Sequence, residues 1–273
     1  MPLLIAIEHL YHQLGILKYQ QGKYPEAAKF YEKYLEIKRK TLPEDDASLA
    51  ATYGSIGLVY KNMGEYSKAL EYFKKTIKIK EKSLSPTDPA LATSYNNIGL
   101  VYDSMGEYSK ALESYEKSNK IWEISLPANH PLLATSYNNI GLVYNNMGEY
   151  SKALEFYEKS LKIREISLPP NHPNLAQSYN NIGAVYKNMG EYSKALEFYE
   201  KSLKIKEISL PANHPDLATS YNNIGLVYNN MDEYSKAFSY LEKALSIYRN
   251  SLPLTHHYIK EVMNDIDRVK KKL

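Results

Sequence analysis

The stretch ATSYNNIGLVYNNMGEYSKALEFYEKSLKIREISLPPNHPNL, residues 134–175, decides the fold. The next 42 residues, 176–217, repeat it with identity at 36 of 42 positions. Glycines at 15, 57, 99, 141, 183 and 225 carry the same period across the chain, so its 273 residues are six and a half copies of one unit. A period of this length means a stack in which each unit contacts its neighbours rather than one closed core. With positions numbered 1–42 from Ala134, units start near residues 8, 50, 92, 134, 176 and 218 and fill 1–257.

Gly148 separates two periodic segments, where a residue free to adopt a left-handed conformation can end a helix. The second segment is expected to be helical from about Glu149 to Ser167, stopping before Leu168-Pro169-Pro170, because proline cannot continue the ladder. A new helix is expected to open at Pro173. The residue ahead of it is an N-cap, held by Asp88 in the second unit and by His130, His172 and His214 in later ones. Each unit is therefore a helix-turn-helix.

Tyr137, Gly141, Tyr144, Ala153, Tyr157 and Pro169, with their equivalents in the other units, resemble the tetratricopeptide (TPR) pattern. The long second helix and the LPxNHPxLA linker resemble the 42-residue variety of kinesin light chains and related arrays. The resemblance implies an all-α fold, a right-handed α-solenoid (TPR superhelix) of six helix-turn-helix repeats plus a C-terminal capping helix over 258–273. That last segment keeps apolar spacing at Ile259, Val262, Met263, Ile266 and Val269, with a polar, basic opposite face.

At about 100° per residue, positions 4, 7, 8 and 11 (Tyr137, Ile140, Gly141, Tyr144) point one way and are expected to be core, with Ala153 facing Gly141. Positions 2, 6, 9 and 13 form an opposite stripe without a partner in its own unit. By the resemblance, that stripe lines a concave groove. Asparagine is a poor helix-interior residue, costing ~0.5 kcal/mol or more against alanine. A ladder of amides repeated in register suits an extended peptide, whose backbone needs donors and acceptors. The expected peptide-binding residues are Asn97, Asn139, Asn181 and Asn223 at position 6. Asn146, Asn188 and Asn230 join them at position 13, with Leu100 and Leu142 at position 9. Some of these amides could instead hold adjacent repeats together.

Other chemistries fare worse. The chain has no Cys, which excludes disulfide scaffolds, zinc ribbons and thiol nucleophiles. Equivalent histidines stand one helix spacing apart, ~8–10 Å, while zinc needs its ligands within ~2.1 Å of itself, so no metal site or other cofactor is expected. No nucleophile is paired with a base and no phosphate loop occurs, so no catalytic residues are expected and the chain reads as a non-enzyme. The 34 basic and 31 acidic residues interleave to a net charge of +3, without the basic stripe that nucleic acid demands. No apolar run reaches the ~20 residues of a membrane span. The apolar opening MPLLIAIEHL lacks a basic flank and cleavage site and is read as structure rather than as a signal peptide.

The expectation is a monomeric cytoplasmic scaffold for an extended segment of a partner protein, binding neither nucleic acid nor membrane. Structural self-assembly through like end surfaces, or service as the recruiting module of a larger enzyme, are the alternatives. Two irregular residues stand out in the third unit. Asn119 replaces the Leu or Ile of every other unit and is expected to soften the middle of the array, whereas Trp122 is expected on the outer face.

Overall fold

The computed structural model describes residues 2–273, and side chains from residue 6 onward. Met1 and the side chains of residues 2–5, part of the stretch weighed as a signal peptide, lie outside the described residues; the rest of that stretch is helical. Two compact units are present. Residues 1–128 hold α1 (Pro2–Gln20), α2 (Tyr24–Thr41), α3 (Ala47–Asn62), α4 (Tyr66–Ser83), α5 (Pro89–Ser104) and α6 (Tyr108–Ser125). Residues 129–273 hold α7 (Pro131–Asn146), α8 (Tyr150–Ser167), α9 (Pro173–Asn188) and α10 (Tyr192–Ser209), then α11 (Pro215–Asn230), α12 (Tyr234–Ser251) and α13 (His257–Lys270). Every described element is an α-helix, and the helices pair as the period requires.

Local chemistry sets the boundaries. Gly148 adopts φ +76°, and Glu149 N–H returns to the Tyr144 carbonyl at 2.9 Å, closing a Schellman turn. In the last pair Asp232 takes the same left-handed conformation at φ 60°, and Glu233 N–H reaches the Tyr228 carbonyl at 3.0 Å. The N-caps are as expected. Asp46 and Asp88 accept from the second amide beyond them at 2.8 Å, and His130, His172 and His214 do so through Nδ1 at 3.2, 3.1 and 3.1 Å. His256 caps α13 in the same way at 3.3 Å.

The buried arc of each first helix is shifted from the expected one. Positions 3, 7, 8 and 10 are buried, as Ser178, Ile182, Gly183 and Val185 illustrate, while the tyrosines at 4 and 11 are only half-buried in α5, α7, α9 and α11. At several joints the second helix of the preceding pair meets this arc. Arg164 of α8 is buried and donates from Nη1 to Ser178 Oγ and to the Asn174 carbonyl, both at 2.9 Å, so position 3 of α9 faces α8. Lys80 makes the same bridge to Ser94 and Ala90, and Lys206 reaches Ser220. The displaced tyrosines become struts. Tyr179 donates to Glu165 at 2.8 Å and Tyr221 to Glu207 at 2.7 Å, while Tyr144 stacks on Phe156 at 5.5 Å. Burial and the glutamate push the Tyr179 and Tyr221 hydroxyls up to about 12.

The close approach at Gly141 also differs in detail. A Cβ there would lie 2.8 Å from the Tyr157 ring, so the ring, rather than Ala153, occupies the space that glycine leaves. Trp122 is a correction: it is 1% exposed, fully buried on α6, not on an outer face. Position 31, where it stands, is the bridging position of Lys80, Arg164 and Lys206, which points inward in every pair.

Candidate groove of stacked first helices

Within each unit the first helices of neighbouring pairs touch: α3 meets α5, α7 meets α9, and α11 meets α13. Their stripe at positions 2, 6, 9 and 13 is partly exposed and partly half-buried. Thr93, Thr135 and Gln177 are exposed, as are Asn146, Asn188 and Asn230; the position-6 asparagines are half-buried, and Leu142 is 38% exposed. The threonines satisfy their own helix, with Thr135 Oγ1 donating to the Pro131 carbonyl at 3.1 Å.

The amides divide into two groups. In the second unit Asn181 donates from Nδ2 to Asn138 Oδ1 at 3.0 Å, and Asn223 donates to Asn180 Oδ1 at 3.2 Å. A parallel rail joins Asn188 to Asn145 at 3.2 Å. In the first unit Asn62 donates to Tyr19 Oη at 2.9 Å in that same register. Part of the asparagine repeat thus ties neighbouring first helices together, a structural task that offsets its poor helix propensity. Asn97 and Asn139 make no side-chain hydrogen bond among the described residues. For Asn97 the cause is local: the position-5 residue before it is Gly54, which has no amide to accept. Asn230 likewise faces the register of Lys187, a donor where Asn145 is an acceptor.

Position 5 was not among the expected binding residues, yet Asn138 and Asn180 supply the acceptors of the rail. The sequence signal for that role was present, since Asn at 5 and 6 recur together in four units. Among the described residues no group of three or more His or acidic side chains could hold a metal. No described helix is long and apolar enough to cross a membrane.

Known proteins agree with this architecture. Tetratricopeptide repeat models match residues 48–124, 120–166 and 132–208, and a second tetratricopeptide repeat model matches 9–48 and 217–258. The chain belongs to the tetratricopeptide repeat family. It is an array of these repeats, which serve as protein-interaction scaffolds.

Among solved structures it is similar to a putative kinesin light chain with nearly identical TPR-like repeats from Podosopora anserina, at 22% identity and TM-score 0.66, over 75% of this chain and 98% of that one. It is also similar to BtubC (BKLC) from P. vanneervenii, at 18% identity and TM-score 0.68, over 90% of each chain. Aspartyl phosphate phosphatase F from Bacillus subtilis shares the fold at 15% identity and TM-score 0.70, over 98% of this chain and 70% of that one. No curated protein sequence matches.

Proposed function

We propose that the protein holds an extended segment of a partner protein along the partly exposed stripe of its first helices. The observation that carries this reading is an unbonded, half-buried amide in each compact unit, Asn97 beside exposed Thr93 in one and Asn139 beside exposed Thr135 and Leu142 in the other. An amide in that setting offers two donors and an acceptor to a peptide main chain. Asn146, Asn188 and Asn230, with Leu100 and Leu142, extend the same surface along their helices. Stacked helices ~8–10 Å apart and a strand advancing ~3.3 Å per residue give about three ligand residues per repeat. The protein would act as a monomer in the cytoplasm, with no catalysis of its own, no cofactor, and neither nucleic acid nor membrane as partner.

Asn139→Ala is the sharpest test, because it removes no side-chain hydrogen bond among the described residues. Binding to an array of ten-residue peptides should weaken by roughly tenfold, the worth of about one well-made hydrogen bond, while the melting temperature stays within about 1 °C. Asn181→Ala should lower both, since its amide also ties α9 to α7. Equal peptide binding by wild type and Asn139→Ala would remove the proposal. A molar mass that climbs with concentration in light scattering would favour end-to-end assembly instead.

A further inference from the structure

The rail of amides ends abruptly at α13. In α9 and α11 the position-6 residue is asparagine and donates to the position-5 asparagine of the preceding first helix. In α13 the position-6 residue is Asp265. An ionised carboxylate has no proton to give, and Asn222, the position-5 residue of α11, keeps its Oδ1 buried without a hydrogen-bond partner. Two acceptors therefore occupy the register in which the α7–α9 and α9–α11 rungs each hold a donor and an acceptor.

Both residues line a cleft of about 350 Å³ between α11 and α13, together with Asn223, Tyr258, Glu261 and Arg268. Glu261, Asp265 and Arg268 sum to one negative charge. Asp265 pairs with Arg268 at 3.2 Å, but the arginine side chain is 76% exposed and free to swing into water. Burial nevertheless raises the Asp265 carboxyl above the ordinary aspartate range, and the nearby Glu261 adds to the rise. The cleft also has an aromatic wall. Tyr258 is 42% exposed and stacks on buried Tyr248 with ring centroids 5.4 Å apart, while the Tyr248 hydroxyl is fixed by Thr219 at 2.9 Å.

We infer that this cleft is a subsite for a basic side chain of the bound segment, arginine ahead of lysine. The inference rests on the groove reading above. A guanidinium is flat, weakly hydrated and rich in donors. It can lie on the exposed face of Tyr258 while its N–H groups reach Glu261 and Asp265, taking the place of Arg268. Its positive charge offsets the negative potential left by the facing acceptors. A lysine ammonium supplies the charge without the flat stacking surface. An acidic residue would meet two carboxylates and an unpaired carbonyl oxygen.

The test uses the full chain and an array of ten-residue peptides in which one position is Arg, Lys, Gln or Glu in an otherwise constant background. Wild type is compared with the double variant Glu261→Gln, Asp265→Asn. Asparagine is what α5, α7, α9 and α11 carry at that position, so the variant should fold, and circular dichroism checks that it does. The expected result is that wild type favours Arg over Gln by at least about fivefold, and that the variant loses the preference while binding the Gln peptides as before. Peptide binding with no basic preference, or with a preference that the variant keeps, would overturn the subsite and leave the groove intact. A preference for Glu would overturn it in favour of Arg268 as the reader. Failure of every peptide to bind would sink the groove and the subsite together.

Discussion

At the scale of single residues, histidine serves this chain as a helix cap. His130, His172, His214 and His256 accept the incoming amide through Nδ1, so each ring holds its proton on Nε2 and leaves Nδ1 as a lone pair. The same task falls to Asp46 and Asp88 in the first unit, where the carboxylate also meets the positive end of the helix. His172→Ala should cost about 1 kcal/mol of stability, the usual worth of an N-cap, and His172→Asp should restore it or exceed it. Urea unfolding of the three proteins checks this; an alanine variant as stable as wild type would mean that the cap contributes nothing. The capping histidines were legible from sequence because they share a position with Asp88 and stand before a proline. The inward turn of Trp122 was not, because its burial depends on what position 31 meets in three dimensions.

At the scale of the helix, α6 departs from its siblings. Its buried face carries Tyr115, Ser118, Asn119 and Trp122, and Tyr115 Oη, Ser118 Oγ, Asn119 Oδ1 and Trp122 Nε1 are all buried without a hydrogen-bond partner. Elsewhere the hydroxyl equivalent to Ser118 bonds across the pair, as Thr76 does to the Ala50 carbonyl at 3.3 Å and Ser160 to the Ala134 carbonyl at 2.7 Å. Asn119 is 6% exposed. Leaving such a group unpaired costs roughly 1–3 kcal/mol. Asn119→Leu, which installs the residue of the fourth, fifth and sixth pairs, should therefore raise stability by about that amount, and hydrogen exchange in α6 should slow accordingly. A destabilised variant would show that the amide has a task here.

The second element with a fault is α13. Asp265 has a raised pKa because burial disfavours its charge, so folding at neutral pH pays a penalty that protonation relieves. Arg268 and Glu261 on the same helix modulate that penalty, and Asn222 faces it from α11. Asp265→Asn supplies the missing donor and should raise the melting temperature at pH 7. Because the folded pKa lies above the unfolded one, the advantage of the variant should shrink as pH falls through that raised value toward the ordinary aspartate range. Melting curves at several pH values decide it; a gap that widens with acid would contradict the assignment.

At the scale of the whole molecule, stability in a stacked array is close to a sum of pairs and their interfaces, and the terminal helix closes the last one. Ile259, Val262, Ile266 and Val269 of α13 are buried against Ala244, Leu245 and Tyr248. Removing residues 257–273 would uncover the apolar face of the last pair, at roughly 1.5–3 kcal/mol for each large side chain. The shortened chain should melt many degrees lower and self-associate in size-exclusion chromatography; an unchanged monomer would remove the capping role. The sequence by itself determined the helix pairs, their boundaries, the caps and the terminal helix, since those depend on proline, glycine and periodicity within a few residues of one another. Only the tertiary structure decided which tyrosines are struts rather than core, which asparagines bond sideways, and that Trp122 is buried. The tyrosine–glutamate struts turn on contacts 14 residues away along the chain and the sideways asparagines on contacts 43 away. A helical wheel places a residue on a face, but only packing settles what meets that face.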